Sequence, residues 1–465
     1  MSTFSWVSFL LLIIFMMIFG IFQSKQVSTV SLYLLAGRKT KLFALVSTLV
    51  MTEFNTATLI SFSSAGLYAH WWALTLPLVF LIGLLFYALI AAKKWKNYNG
   101  VSVTDFFTQR YDENLGKVAG VILFLAMSGF SATYIKSLTL IFSPLFPQLN
   151  QWILSAFLVF FALLMTWRGG LIAIIRTDMV SFIIILLFFP ILLYYSWQLP
   201  SESMVDALNL QQMQQSLPPK FVGSLIFLTM FSYIMAPWYG QKIVSAHSPS
   251  VAMKAVIIAA FLIFILYSLG VLATWQLSKK GIALSHPEQA LPYLIQHALP
   301  FGLQGLGYGT LFITTATTLS GVWSAMVTLV IPNSDLQSER NKLYLGIGLT
   351  SGCGLLTYFL ANVFVDEIFS KMILANIPIV ALSFTLLAGF YWKKVTKIGA
   401  YISIMFGLAW GFGCYFYYGE KNLYTWYWAI YGIPLIFISG VIGSLLSNKR
   451  PKNSINIYPK ILFNK

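Results

Sequence analysis

An all-α membrane protein is the fold class that this sequence predicts. Of its 465 residues, 58% are hydrophobic and 9% charged, where soluble domains carry about 25% charged residues. Apolar stretches of 18 or more residues recur along the whole length, each sufficient to cross a hydrocarbon core of about 30 Å. Lysine and arginine crowd into alternate loops, the asymmetry produced when basic segments stay in the cytoplasm.

Apolar segments bounded by polar residues give about 13 transmembrane helices, at 4–23, 42–65, 70–92, 117–143, 151–167, 171–197, 221–239, 255–277, 302–330, 343–361, 368–391, 398–418 and 424–447. Loops between them are mostly short, and no Gly/Ser-rich or Pro-rich linker separates blocks, so residues 1–465 read as a single integral domain. The first segment lacks a basic n-region and a small-residue cleavage site and is expected to remain as a helix.

Counted over alternate loops, 23 of the 29 Lys and Arg residues fall on one side. That side includes Lys25, Arg168, Lys242 and the tail at 448–465. Lys220, Lys279, Lys280, Lys371 and Lys421 fall on the other, and Lys136 lies within the fourth span. The N-terminus is therefore expected outside and the tail in the cytoplasm. This distribution accounts for the net charge of +16 by topology, without nucleic acid as a partner. Trp71, Trp72, Trp95, Trp152, Trp197, Trp238, Trp275, Trp392 and Trp426 lie near span ends, where amphipathic rings favour the interface.

The two cysteines, Cys353 and Cys414, sit inside apolar spans and support neither a disulfide framework nor a thiolate metal site. His70, His247, His286 and His297 match no metal-ligand spacing. A membrane-embedded enzyme would need a nucleophile with its base, or a metal cluster, and the sequence offers neither. No long soluble extension that would mark a sensor follows Asn448.

Glu53 lies mid-span, and Asp178 within the first two turns of its helix. A carboxylate at the bilayer centre costs at least about 2.5 kcal/mol, so it is expected to face the bundle interior and to mark an ion or substrate path. Around Glu53 runs Thr52-Glu53-Phe54-Asn55-Thr56-Ala57-Thr58, followed by Ser61, Ser63 and Ser64, a polar density unsuited to a lipid-facing helix. Such a segment can unwind where it lines a cavity, and freed carbonyls are hard oxygen ligands for a small cation. A second break is expected at Ser232-Tyr233-Ile234-Met235-Ala236-Pro237, because proline removes a backbone donor. The two breaks fall in the second and seventh spans, at corresponding places in two five-helix halves, the pattern of an inverted-repeat transporter. A third polar run, Thr314 to Ser320, brings hydroxyls into the ninth span.

These features resemble the sodium:solute symporter family, which includes bacterial proline, pantothenate and sugar symporters. Gly37-Arg38 is similar to the family's GR before its first core helix, and Glu53 follows that arginine at the spacing of the proline symporter's sodium-linked aspartate. The run "RGGLIAIIRTDMVS" resembles the GG…TD…Q signature, with Asp178 as its aspartate and Ser181 in place of glutamine. "QKIVSAHS" resembles the QR-led segment, with Lys242 for arginine. "ALPYLIQHALPFGLQGL", "TATTLS" and Asp335 resemble the alP…LP.gl.Gl, STLS and terminal D pattern, and "GFYWKKVTKIGAYISIMFG" the W-basic…Ga…G block.

The resemblance implies a leucine-transporter-type 5+5 inverted repeat in a bacterial cytoplasmic (inner) membrane. It would comprise a leading helix at 4–23, a first repeat at 42–197, a second at 221–391 and two extra helices at 398–447. By the same resemblance, Met51 and Phe54 carbonyls and Thr317 and Thr318 hydroxyls would hold sodium, the coupling ion. Glu53 and Asp178 would lie on the ion's path, and a small solute such as an amino acid would move by alternating access. Asn55, Thr56, Ser232 and Tyr233 are the candidate substrate residues, with Thr58 and Tyr134 beside them. Alternatives of the same fold are a proton-coupled carrier, an uncoupled carrier and a transporter-like sensor. Lys136 is a candidate to take a cation's place by facing Glu53, or to snorkel to the outer interface. Arg176, two residues before Asp178, bears on the same question.

Overall fold

The structure, a computed structural model, describes residues 2–24, 29–98, 100, 102–166, 170–202, 208–330, 339–420 and 423–447. Lys25, Arg168, Asp335, Lys421 and the tail at 448–465 lie outside the described residues. Among those described there is no β-strand, and the only sheet-like pairing is an isolated bridge between Thr40 and Ala246.

The main helices run in chain order as α1 (Thr3–Ser24), α2 (Leu42–Glu53), α3 (Thr56–Ala69), α4 (Thr75–Tyr87), α5 (Glu113–Phe142), α6 (Gln151–Thr166), α7 (Gly170–Trp197), α8 (Pro219–Tyr233) and α9 (Pro237–Ser245). They continue as α10 (Pro249–Lys279), α11 (Leu303–Val330), α12 (Glu339–Val363), α13 (Ile368–Leu374), α14 (Asn376–Ala381), α15 (Ser383–Tyr391), α16 (Lys397–Tyr418) and α17 (Ile433–Leu446). Among the described residues, ten helical stretches are long and apolar enough to cross a membrane, or eleven if the bent pair α8 and α9 forms one span. α2 and α6 are apolar but shorter. Residues such as Leu11, Phe22, Val121, Leu187, Phe416 and Leu446 expose apolar side chains around the outside of the bundle, as a protein solvated by lipid must. The chain is an integral membrane protein.

α11 is the central post. It is buried along almost its whole length and packs against α1, α5, α2 and α9. Glycines let the helices approach closely, the usual means of packing in lipid. A Cβ at Gly66 would meet Thr274 on α10, and one at Gly305 would collide with the Ser5 carbonyl oxygen on α1. Peripheral α16 and α17 pair with each other.

Both expected interruptions are present. α2 stops at Glu53 and α3 starts at Thr56, with Phe54 and Asn55 extended between them. α8 stops at Tyr233 and α9 starts at Pro237, bent by 48°. Pro237 occupies the first turn of α9, where its missing N–H costs nothing.

Trp95 and Trp238 are buried inside the bundle, in contrast to the interfacial placement expected from the sequence. Each lies at a break, Trp95 against the Ile234 carbonyl and Trp238 in the first turn of α9.

Gly305→Val should lower the thermal unfolding midpoint of the protein in detergent, by overpacking worth about 1–3 kcal/mol. Gly348→Ala, where a Cβ meets nothing within 4 Å, should leave it unchanged or raised.

Candidate functional site

The site forms where the two breaks meet α11. At the first, the Asn55 side chain caps α3 by accepting from the Thr58 amide at 2.9 Å, and its own amide donates to the Glu53 carbonyl at 2.8 Å. The Tyr267 hydroxyl of α10 spans the same gap, donating to the Glu53 carbonyl at 2.6 Å and accepting from the Asn55 amide at 3.1 Å. At the second, the Trp95 indole donates to the Ile234 carbonyl at 3.0 Å. Groups released by unwinding thus find side-chain partners, because hydrocarbon supplies none.

Thr318 on α11 joins the first break directly: its hydroxyl donates to the Met51 carbonyl at 2.8 Å and lies 2.9 Å from the Thr314 carbonyl. The Thr317 hydroxyl donates to the Thr314 carbonyl at 3.1 Å, and its side chain also borders Asp178. Phe54 packs its ring between Phe189 and Tyr267. Met51, Thr317, Thr318 and Asp178 therefore share one neighbourhood.

Asp178 is completely buried on α7. One carboxylate oxygen accepts from the Thr48 hydroxyl at 2.5 Å and from the Lys242 ammonium at 3.1 Å. Its other oxygen, Oδ1, has no hydrogen-bond partner. Lys242, on α9, also donates to the Thr48 carbonyl at 3.0 Å and to the Thr52 hydroxyl. Both members of this ion pair are about 1% exposed or less. The sequence placed Lys242 among loop cations. Its folded position at the core follows from its place five residues past Pro237, on an α9 that points inward rather than forming a loop.

Lys136 lies elsewhere, its ammonium 3.4 Å from Gln151 Oε1 in the lining of a separate vestibule. Arg176 turns from Asp178 towards α1, donating to Gln23 Oε1 at 2.7 Å.

Glu53 faces the opposite side of the break. It lines a cavity of about 70 Å³ with Asn55, Thr58, Ser232 and Tyr233, where the Tyr233 hydroxyl and the Trp238 indole lie beside its carboxylate. Tyr134 and Asn376 also line it, and Ser232 donates to Asn376 Oδ1 at 2.7 Å. Thr56 is not among the lining residues; its hydroxyl pairs with Ser137 and Thr315 at 2.7 Å each, joining α3 to α5 and α11.

Beyond the α3 end of this cavity lies a vestibule of about 530 Å³, lined by Ser61, Ser64, Tyr68, Lys136, His286 and Glu367 among others. α13 separates the two spaces, with Phe369 facing the vestibule and Met372 the cavity. The Phe62 ring stands 6.2 Å from Phe369 and 5.2 Å from Tyr267, forming an aromatic layer. The other end of the bundle is closed. There Thr40 and Ser245 exchange backbone and hydroxyl hydrogen bonds, Lys96 donates to the Val244 carbonyl and Gln241 to the Leu34 carbonyl.

No family model matches the chain, and no curated protein matches it. Among solved structures it is similar to a Na+-coupled sialic acid symporter in a substrate-bound outward-open state, with a TM-score of 0.79 over 98% of this chain and 100% of that one. The chain has a transporter's fold. Identity over the match is 16%, so the likeness concerns architecture alone.

Lys242, Tyr267, Asn376 and the interior role of Trp95 were not singled out from the sequence as site residues. Lys242 carried the one available signal, a cation on a short helix just past a predicted break. Trp95→Phe should strand the Ile234 carbonyl and cost about 1–3 kcal/mol, read as a lower unfolding midpoint in detergent; Trp197→Phe, at an exposed position, should not.

Proposed function

We propose that the chain is a secondary active transporter, a sodium-coupled symporter of a small polar solute such as an amino acid, working by alternating access. One observation carries this reading: two interrupted helices and a hydroxyl-bearing third helix converge, with Thr318 on the Met51 carbonyl. Sodium would exchange its water shell for the Met51 and Phe54 carbonyls and the Thr317 and Thr318 hydroxyls, with Asp178 on its route and Glu53 adding negative charge nearby. The unpartnered, fully buried Asp178 Oδ1 suits a hard cation passing that point.

On this reading the chain has 13 spans. One precedes a first inverted repeat at 42–197, a second repeat covers 221–391, and two helices follow at 398–447. Counting α2 with α3 as one broken span, α4 as the next, α6 as a short span and α8 with α9 as another supports that number. The basic loops put the N-terminus outside and the 448–465 tail inside a bacterial cytoplasmic membrane. The 530 Å³ vestibule then opens outward and the closed end faces the cytoplasm. Sodium bound beside the break would favour the solute-binding arrangement, and solute would raise sodium affinity by the same factor.

A second reading is favoured by Lys242. Its ammonium already neutralises Asp178 one helical turn from Met51, so it can act as a tethered cation and make the carrier proton-coupled or uncoupled from sodium. This is the role the sequence suggested for Lys136.

Reconstitution into liposomes with a panel of labelled solutes and imposed sodium or proton gradients separates these readings. A sodium gradient should drive accumulation. Thr318→Ala should raise the sodium concentration required by about tenfold, equivalent to losing about 1.4 kcal/mol of ion binding, and Glu53→Ala should lower coupled uptake sharply. Full sodium-driven activity in both variants would refute the sodium site. Accumulation driven by protons alone and abolished by Lys242→Gln would establish the second reading.

A further inference from the structure

The transport reading leaves open what the 70 Å³ cavity holds, and its lining is specific enough to name a chemical class. Five aromatic side chains, Phe80, Phe130, Tyr134, Tyr233 and Trp238, line the cavity together with a single carboxylate, that of Glu53. They support one another: the Phe130 ring lies 5.3 Å from Trp238 and 6.4 Å from Tyr134, and Phe80 lies 6.1 Å from Tyr233. The lining contains no lysine, arginine or histidine.

The other polar groups are largely engaged with each other. Asn55 spends its oxygen on the Thr58 amide and its nitrogen on the Glu53 carbonyl. Ser232 donates to Asn376 Oδ1, and the Asn376 amide donates to the Met372 carbonyl. The polar groups beside the Glu53 carboxylate, those of Tyr233 and Trp238, are neutral. A buried carboxylate without a cationic partner is costly, and a bound cation relieves that cost.

The N-terminal end of α9 would by itself favour an anionic ligand. Glu53 takes that place, because its neighbour Trp238 lies in the first turn of α9. A ligand carboxylate would meet Glu53 as a like charge with no basic side chain to receive it.

We infer that the cavity binds a small organic cation through an alkylated ammonium group, seated on the Glu53 carboxylate and walled by Phe130, Tyr134, Tyr233 and Trp238. Aromatic faces attract such a head group within about 6 Å of a ring centroid, by about 2 kcal/mol or more once water is excluded. The cavity has room for roughly five water-sized groups, which limits the part that enters to a head group. This assignment rests on the transporter reading and replaces the amino-acid class within it, since a zwitterion's carboxylate finds no partner here.

The test uses the purified full-length chain in potassium buffer, reading tryptophan fluorescence and unfolding midpoint during titration with three probes. Tetramethylammonium carries the cation, trimethylglycine the same head group with a carboxylate added, and tert-butanol a neutral group of similar shape. Tetramethylammonium should saturate with a dissociation constant at least about tenfold below those of the other two. Glu53→Gln should weaken it by about tenfold, and Phe130→Leu should weaken it while leaving tert-butanol unchanged. If Glu53→Gln does not fold, Phe130→Leu and Glu53→Asp decide the matter, each being expected to weaken the cation selectively. Equal affinity for trimethylglycine, an unaltered constant in these variants, or no tetramethylammonium binding at any accessible concentration would overturn the assignment. Sodium added to the same samples reports the proposed ion site independently. A sodium-induced rise in midpoint that Thr318→Ala removes would leave the symport reading standing even where the ammonium assignment fails.

Discussion

Hydrocarbon offers no hydrogen bonds, and that constraint shapes the centre of this protein. A continuous helix satisfies its own backbone, so a helix interrupted at mid-bundle must find replacement partners for each freed group or lose several kcal/mol per group. Tyr267 and Asn55 serve the first interruption, Trp95 the second, and Thr318 ties the last turn of α2 to α11. The breaks meet the hydroxyl-bearing face of α11 because that is where polar partners exist. The proposed ion site would be a by-product, since carbonyls that accept hydroxyls can also face a small cation.

Charge is partitioned around the same break. On one side Lys242 and Asp178 neutralise each other in full burial, and removing either would leave an uncompensated buried charge at a cost of about 3–5 kcal/mol. On the other side Glu53 faces an aromatic cavity with neutral donors only. The two carboxylates therefore differ in availability. Asp178 is bound to the protein's own cation and presents one oxygen without a hydrogen-bond partner, whereas Glu53 has no cationic partner among the residues that line its cavity.

The ends of the bundle are unlike. Towards the α3 end, α13 and an aromatic layer of Phe62, Tyr267 and Phe369 lie between the cavity and a wide vestibule. Towards the α9 end, backbone and side-chain hydrogen bonds close the path around Thr40, Lys96, Gln241 and Ser245. Hydrogen-bonded contacts of this kind have two discrete arrangements, made or broken, which suits a gate in the proposed alternating-access cycle.

The sequence by itself determined the solvent, the helices and the weak points within them. Apolar run lengths gave the segments, the polar density around Glu53 and the proline at 237 gave the breaks, and the Thr314 to Ser320 run gave the third partner, because these depend on local composition. Only the tertiary structure decided which side chains meet. It turned Thr56 into a packing residue, sent Lys136 and Arg176 away from Glu53 and Asp178 and drew Lys242 onto Asp178, and moved Trp95 and Trp238 from the expected interface to the interior. A helix's rotation about its own axis decides such matters. That rotation is set by close packing against neighbours hundreds of residues away, which periodicity within one segment does not encode.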